Sequence, residues 1–422
     1  MPTLHHLFGY IKNYGFRHKA IYALALMILF WSIFDGIISY IAPILIVQNG
    51  ISKSEMGLLL ASSSFAGAIF DFLLCRLFKN SFYRRIFIAM FALSFVYPLL
   101  LLEAKTLFVY LIAMALWGVF YDLRSVGTFD FIGRHSRKAD HSSDFGLVQV
   151  FQSLGYLFAP ILVGAVVGEV VDWKPAIMCW ISLSISFFFF AMLLGLEKKH
   201  SVSANCESMY CEKPKNLSKE FKLWGRLGKL IFPVLLLTMF LYIVDAFFWT
   251  VGPLYAESNN AIKEYAGLFM AAYTLPPLLV GWFVGALTRR FGQKRTALIG
   301  LLSGSLVLSV IGALVNPYLI VIVVFVASMC FSVAWPAING VYADYISEAE
   351  EIEKEIAGLE DFYMNIGFAL GHIIAGFFAD FFGNAGAFTA LGLIGAMTAL
   401  ILFRITPRNI DIRKSVLKSS EI

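Results

Sequence analysis

Charge is what this sequence has least of. Asp, Glu, Lys and Arg supply only 14% of its 422 residues, against about a quarter in a typical soluble domain, and no polar tract is long enough to fold alone. That scarcity excludes an ordinary water-facing surface. No GxxxxGK[ST] loop is present to cradle nucleotide phosphates, so ATP-driven work is not expected, and no HExxH pair could hold a catalytic zinc. Without a soluble domain to carry a triad, the chain reads as a non-enzyme that needs no cofactor and no metal. Cysteine is sparse too, five in all. Cys75, Cys179 and Cys330 fall in apolar runs, and Cys206 and Cys211 in a central loop expected to face a reducing compartment, so neither a disulfide nor a metal site is expected.

What is present is apolar. Hydrophobic residues make up 59% of the chain, gathered into twelve runs of about the 20 residues that a helix needs to cross a bilayer. They cover residues 21–47, 56–77, 86–102, 107–130, 146–168, 175–196, 230–255, 265–287, 296–315, 317–342, 358–380 and 386–403, here called spans 1 to 12. The fold class is therefore an all-α membrane protein with twelve transmembrane helices. A net charge of +5 would suit nucleic acid only if the cations shared one exposed face. Of the 33 Lys and Arg, however, Lys53, Lys105, Lys174 and Lys263 fall in one set of alternate loops, Arg76 and Arg124 fall inside spans, and all the others lie in the tails and the remaining loops. This positive-inside bias places both termini in the cytoplasm and argues against a nucleic-acid partner. The first run is too long for a signal-peptide core and lacks a small-residue cleavage site, so it is expected to stay as an anchor. Short loops suit a bacterial inner membrane and a monomer in the lipid bilayer.

The longest polar segment divides six spans from six. Residues 1–198 read as an N-terminal bundle, 199–228 as a basic cytoplasmic linker with a part near Lys222–Lys229 suited to the inner leaflet, and 229–422 as a C-terminal bundle with its tail. The two bundles repeat each other. At one constant offset, without a gap, Asp35 falls on Asp245, Pro43 on Pro253, Lys53 on Lys263, Gly57 on Gly267 and Arg85 on Arg295. At a slightly longer offset GLVQVFQSLGYLFAP (Gly146 to Pro160) falls on GLEDFYMNIGFALGH (Gly358 to His372). A parallel six-plus-six repeat is a signature of one group of secondary transporters.

The loop between spans 8 and 9 gives that group a name. GALTRRFGQKR, Gly285 to Arg295, resembles the motif G-x-L-x-D-R-x-G-x-R/K-R of the major facilitator superfamily: Gly285, Leu287, Arg290, Gly292, Lys294 and Arg295 match, while Arg289 stands where the family has Asp. Its first-half counterpart, CRLFKNSFYRR, keeps Leu77, Arg84 and Arg85 and has Lys79 at the Asp position. Gly155, Pro160 and Gly164 in span 5 resemble the exporter motif G-x-x-x-G-P-x-x-G-G of the drug/proton antiporter-like branch, with Ala159 replacing one glycine and the final pair lost. The resemblance implies two pseudo-symmetric bundles in which spans 1, 4, 7 and 10 line a cavity, 2, 5, 8 and 11 flank it, and 3, 6, 9 and 12 lie outside. It also implies a cytoplasmic gate. Here the gate is expected to be charge-reversed, with Lys79, Arg84 and Arg85 pairing with Glu351, Glu353 and Glu355 before span 11; the other reading of those acids is a solvated helix.

Charged groups inside a bilayer face protein or water, so their helical spacing outlines a site. Ser32, Asp35 and Ser39 share a face of span 1; Trp117, Tyr121 and Arg124 one of span 4; Gln149, Gln152 and Tyr156 one of span 5. In the second half the same holds for Tyr242, Asp245 and Trp249, for Trp335 and Asn339, and for Asp361, Asn365 and His372. These stripes describe an aromatic-lined cavity, or else polar glue between helices. Asp35, Asp245 and His372 are candidates for coupling a proton, since desolvation favours the uncharged carboxyl; the acids read otherwise as structural partners of Arg124 or of backbone. Arg124 reads as such a counter-ion or as a binder of anionic substrate. The expected function is secondary active transport, as proton-coupled export of a hydrophobic or cationic small molecule, as symport of a sugar or carboxylate, or, in another class, as a transporter-like sensor or scaffold.

Overall fold

The computed structural model describes residues 19–77, 83–136, 141–167, 171–197, 217–259, 262–349 and 352–407. Helix follows apolarity throughout. Span 1 is Lys19–Gln48, 30 residues and so about 45 Å long. Spans 2 to 6 are Lys53–Leu77, Tyr83–Glu103, Leu107–His135, His141–Gly164 and Lys174–Glu197. Span 7 lies in Leu217–Ser258, so residues 217–228, linker in the sequence reading, are its first turns. Span 8 comes in two pieces, Ala266–Thr274 and Pro276–Phe291, because Pro276 cannot donate the hydrogen bond that would continue the first. Span 9 is Gln293–Leu308 and span 10 is Pro317–Glu348. Glu353–Ile405 carries both span 11 and span 12, separated at Gly383, whose φ of 71° only glycine adopts without strain.

Among the described residues nine helices are long and apolar enough to cross a membrane, and the two pieces of span 8 make a tenth together. The break at Gly383 divides the longest. Span 2 packs against spans 4 and 11 and turns Leu58, Phe65 and Ile69 outward.

Burial separates inner from outer spans. Span 1 is buried nearly all round, with spans 5 and 6 against it, as expected of a helix without a polar face. Span 3 buries one stripe, Ile86, Phe87, Met90, Phe91, Ser94, Tyr97 and Leu101, and turns Ile88, Val96 and Leu99 outward. The outer rows of spans 6, 9 and 12 are likewise apolar and exposed, including Phe188, Leu306 and Met397. In a bilayer such rows meet acyl chains. Span 2 meets span 11, and span 5 meets span 8, across the boundary between the halves. At the first crossing a Cβ on Gly57 would strike the carbonyl oxygen of His372, and one on Gly376 that of Lys53, so the two backbones touch.

Candidate functional site

Three spans converge on Asp35. It is 2% exposed, and the Trp117 indole of span 4 donates to one carboxylate oxygen at 2.8 Å while the Tyr156 hydroxyl of span 5 donates to the other at 2.7 Å. Ser39, one turn on, donates to the Asp35 carbonyl at 2.8 Å. Asp245, half-buried on span 7, accepts at 2.6 Å from the Tyr273 hydroxyl of span 8. The Tyr273 ring stacks on Phe248 at 4.0 Å, and its carbonyl accepts from Ser328 of span 10 at 2.5 Å. The acid repeats between the halves but its partners do not. Among the described residues no cation forms an ion pair with either carboxylate.

Arg124 is 6% exposed, and an amide and two rings hold it rather than Asp35. Its Nη1 donates to Gln152 Oε1 at 3.0 Å, and the guanidinium lies 4.7 Å from the Tyr121 ring centroid and 5.1 Å from that of Trp31, close enough for cation–π attraction. Its buried Nε has no partner. Tyr121 is 37% exposed although its ring carries this buried cation, so its outer face looks into the space between the halves. Across that space Tyr156 meets Trp249 at 5.9 Å between ring centroids.

The remaining predicted residues divide by surroundings. Tyr242 and Trp335 pack edge to face at 4.5 Å, with Asn339 and Gln149 exposed. Ser32 does not open on the cavity: it is fully buried where Gly155 of span 5 lets the helices touch. Asn365 donates to the Asp361 carbonyl of its own helix at 3.0 Å. His372 is buried, its Nδ1 2.6 Å from the Thr250 hydroxyl, and its carbonyl lies at the Gly57 crossing. This places it in the seam between the halves. Sequence reasoning missed Trp31, although it lies one helical turn before Asp35, and Tyr273, which no spacing connects to Asp245.

On the side away from the termini the halves are sealed. Tyr40 donates to Glu257 at 2.6 Å, Lys53 to Asn384 Oδ1 at 2.7 Å, and the Ser54 N–H and hydroxyl to Asp380 at 2.8 and 2.6 Å. The opposite side presents Arg84, Arg85, Gly285, Arg289, Arg290, Gly292, Arg295 and Glu353 to solvent, with Lys294 partly covered. Glu355, expected as a surface acid of the latch, is instead buried, because the helix of span 11 already begins at Glu353. Lys79 and Glu351 lie outside the described residues. Asp130 accepts from the Tyr83 N–H that starts span 3 (2.8 Å) and pairs with Arg134 (2.7 Å), which ties the start of span 3 to the end of span 4.

Two bundles, each with an acid on its first helix and joined by hydrogen bonds on the side away from the termini, have the architecture of a membrane carrier. The chain belongs to the Major Facilitator Superfamily, which it matches over residues 23–230 and 234–418. It is a multi-pass membrane transporter of that family. Its fold is similar to a mutant of the nucleoside transporter NupG (13% identity, TM-score 0.71, covering 91% of this chain and 98% of that one). It is also similar to a POT family transporter in complex with a thioalcohol-conjugated peptide (11%, 0.74, 93% and 98%) and to an inward-facing, unoccupied bacterial homolog of the human lysosomal transporter Spinster (13%, 0.69, 95% and 98%). No curated protein sequence matches the chain.

Proposed function

We propose that this transporter couples protons to the movement of flat cationic or hydrophobic organic molecules through a central site between Asp35 and Asp245. The observation that carries the reading is the pair of acids, one on the first helix of each bundle, each held by neutral hydrogen-bond donors rather than by a fixed cation. A carboxylate held in this way is free to exchange a proton for a cationic substrate, and Trp249, Tyr156, Tyr242 and Trp335 offer ring faces that attract a cation. Binding both ligands at the same acids makes them compete, which is what exchange in opposite directions requires. The resident coupling ion is a proton, the chain works as a monomer in a bacterial inner membrane, and its basic loops face the cytoplasm.

One observation favours a second reading. The unpartnered Nε of Arg124, beside the exposed Tyr121 ring, suits the carboxylate of a substrate brought in together with a proton. Purified protein in liposomes containing a pH dye, challenged with organic cations, sugars and carboxylates, separates the two. Outward proton movement driven by cations, lost in Asp35→Asn and Asp245→Asn while downhill exchange remains, supports antiport. Proton movement in step with carboxylates, lost in Arg124→Gln, supports symport. Silence toward every class makes the chain a sensor or scaffold.

A further inference from the structure

Away from the central site, a cleft of about 390 Å³ opens at the terminal side of the C-terminal bundle, between the start of span 9 and the end of span 12. We infer that it binds the headgroup of an anionic phospholipid from the leaflet facing the termini. Its floor is Leu298, and Phe291, Ile299 and Phe403 wall it. All three wall residues are a third to a half exposed, so acyl chains would find apolar surface beside the cleft.

The polar end is cationic and incompletely bonded. Arg295 is exposed at the rim. Lys294 is fixed in place: its Nζ donates to the Pro407 carbonyl at 3.2 Å and lies 5.3 Å from the Tyr345 ring, with Asp344 and Glu348 within electrostatic reach on the span 10 side. Thr406 ends the helix of span 12, its N–H donating to Leu402 at 2.9 Å. Its hydroxyl, however, is buried at the cleft with no partner. A buried hydroxyl without a partner costs stability, and a phosphodiester oxygen would accept from it while Arg295 neutralises the charge.

The surroundings choose among ligands. Arg289, Arg290 and Arg404 are also exposed at this end, a field that favours a net negative headgroup over a zwitterionic one. An apolar wall gives a free inorganic anion nothing to bind, whereas a diacyl lipid occupies it. A lipid seated here would touch the loop between spans 8 and 9 and the end of span 12 together, and so tie the outer helices of the C-terminal bundle into one body.

Native mass spectrometry of delipidated full-length protein, titrated with dioleoyl phosphatidylglycerol or dioleoyl phosphatidylcholine, tests the assignment. The expected result is one phosphatidylglycerol retained in preference to phosphatidylcholine, and retention about thirtyfold weaker in Arg295→Glu, the loss appropriate to a change of two charges near an anionic headgroup. Thr406→Val, which keeps shape and removes only the hydroxyl, should weaken it as well and carries the test if Arg295→Glu does not fold. A tryptophan placed by Ile299→Trp should be quenched more strongly by brominated phosphatidylglycerol than by brominated phosphatidylcholine. Equal retention of the two lipids, unchanged retention in both variants, or displacement of the lipid by inorganic phosphate at matching concentration would overturn the proposal.

Discussion

Removing one hydroxyl at the sealed side should tilt the whole carrier. Tyr40 is fully buried and donates at 2.6 Å to half-buried Glu257, joining span 1 to span 7. A hydrogen bond to a charged group contributes about 1.5 to 3 kcal/mol when buried; the water already near Glu257 reduces this to about 1 to 2 kcal/mol. Rocking of the two halves would part spans 1 and 7 on this side and hydrate both groups, so Tyr40→Phe should lose the bond from one state only. The ratio of protein open on this side to sealed protein should rise about five- to thirtyfold. Ser39 reports on it, being buried beside Tyr40 and close to cysteine in size. In a background with the five cysteines replaced, Ser39→Cys should react with a membrane-impermeant maleimide, applied from the side that Tyr40 and Glu257 seal, faster by that factor when Tyr40→Phe is added. Lys53→Met, which removes the more exposed bond to Asn384, should add a smaller increment, since the two contacts share no atoms. Labelling of Tyr40→Phe at the parent rate would refute the assignment of this contact as a latch.

Gly376→Ala places a Cβ against the Lys53 backbone carbonyl, a clash with groups that cannot rotate away, and should raise the same labelling rate by holding spans 2 and 11 apart, a cost of about 1 to 3 kcal/mol. If Gly376→Ala labels no faster, the backbone contact does not close the seam. Arg124→Met removes a bond to Gln152 and contacts with two rings, and should lower the thermal midpoint of the detergent-solubilised protein by an amount matching about 2 kcal/mol. Normal stability with selective loss of an anionic substrate would assign Arg124 to substrate instead.

The spans were legible because apolar length and helix share one cause: a bilayer leaves no other partner for backbone polar groups. The repeat was legible because Asp35 and Asp245 keep their register within it. Their partners were not. Tyr156 lies on a stripe that the sequence shows, but Tyr273 reaches Asp245 from the apolar first piece of span 8, Ala266–Thr274, where no polar stripe marks a facing surface. Arg124 was expected to face an acid because opposite charges attract over any distance in sequence. Its actual partners, Gln152, Trp31 and Tyr121, are neutral, and helical spacing within one span says nothing of which neighbouring helix a long side chain reaches. The seal was invisible for the same reason, since Tyr40 and Glu257, or Ser54 and Asp380, meet only after the two halves have docked.

A short chain of contacts joins the two acids and gives the proposed coupling a physical route. Asp35 holds the Tyr156 hydroxyl, the Tyr156 ring meets Trp249, and Trp249 stands one helical turn from Asp245. The first contact lies within the N-terminal bundle and survives a rocking motion of the two halves. The second lies between the bundles and cannot survive it unchanged. An ionised Asp35 accepts from both Tyr156 and Trp117 and so fixes the ring against Trp249, whereas a protonated one gives up an acceptor site and loosens that hold. Under the proposed coupling, protonation at Asp35 would weaken a contact that belongs to the state sealed at Tyr40 and Glu257. Tyr156→Phe keeps the ring and removes the hold, a charge-assisted bond of about 1.5 to 3 kcal/mol, so about ten- to a hundredfold in the coupling equilibrium. This variant should still exchange substrate down its gradient while losing most of its ability to concentrate substrate under an imposed pH gradient. Trp249→Leu should instead weaken binding of aromatic substrates. If Tyr156→Phe concentrates substrate as well as the parent does, the proton is not read through Tyr156, and the two acids act independently.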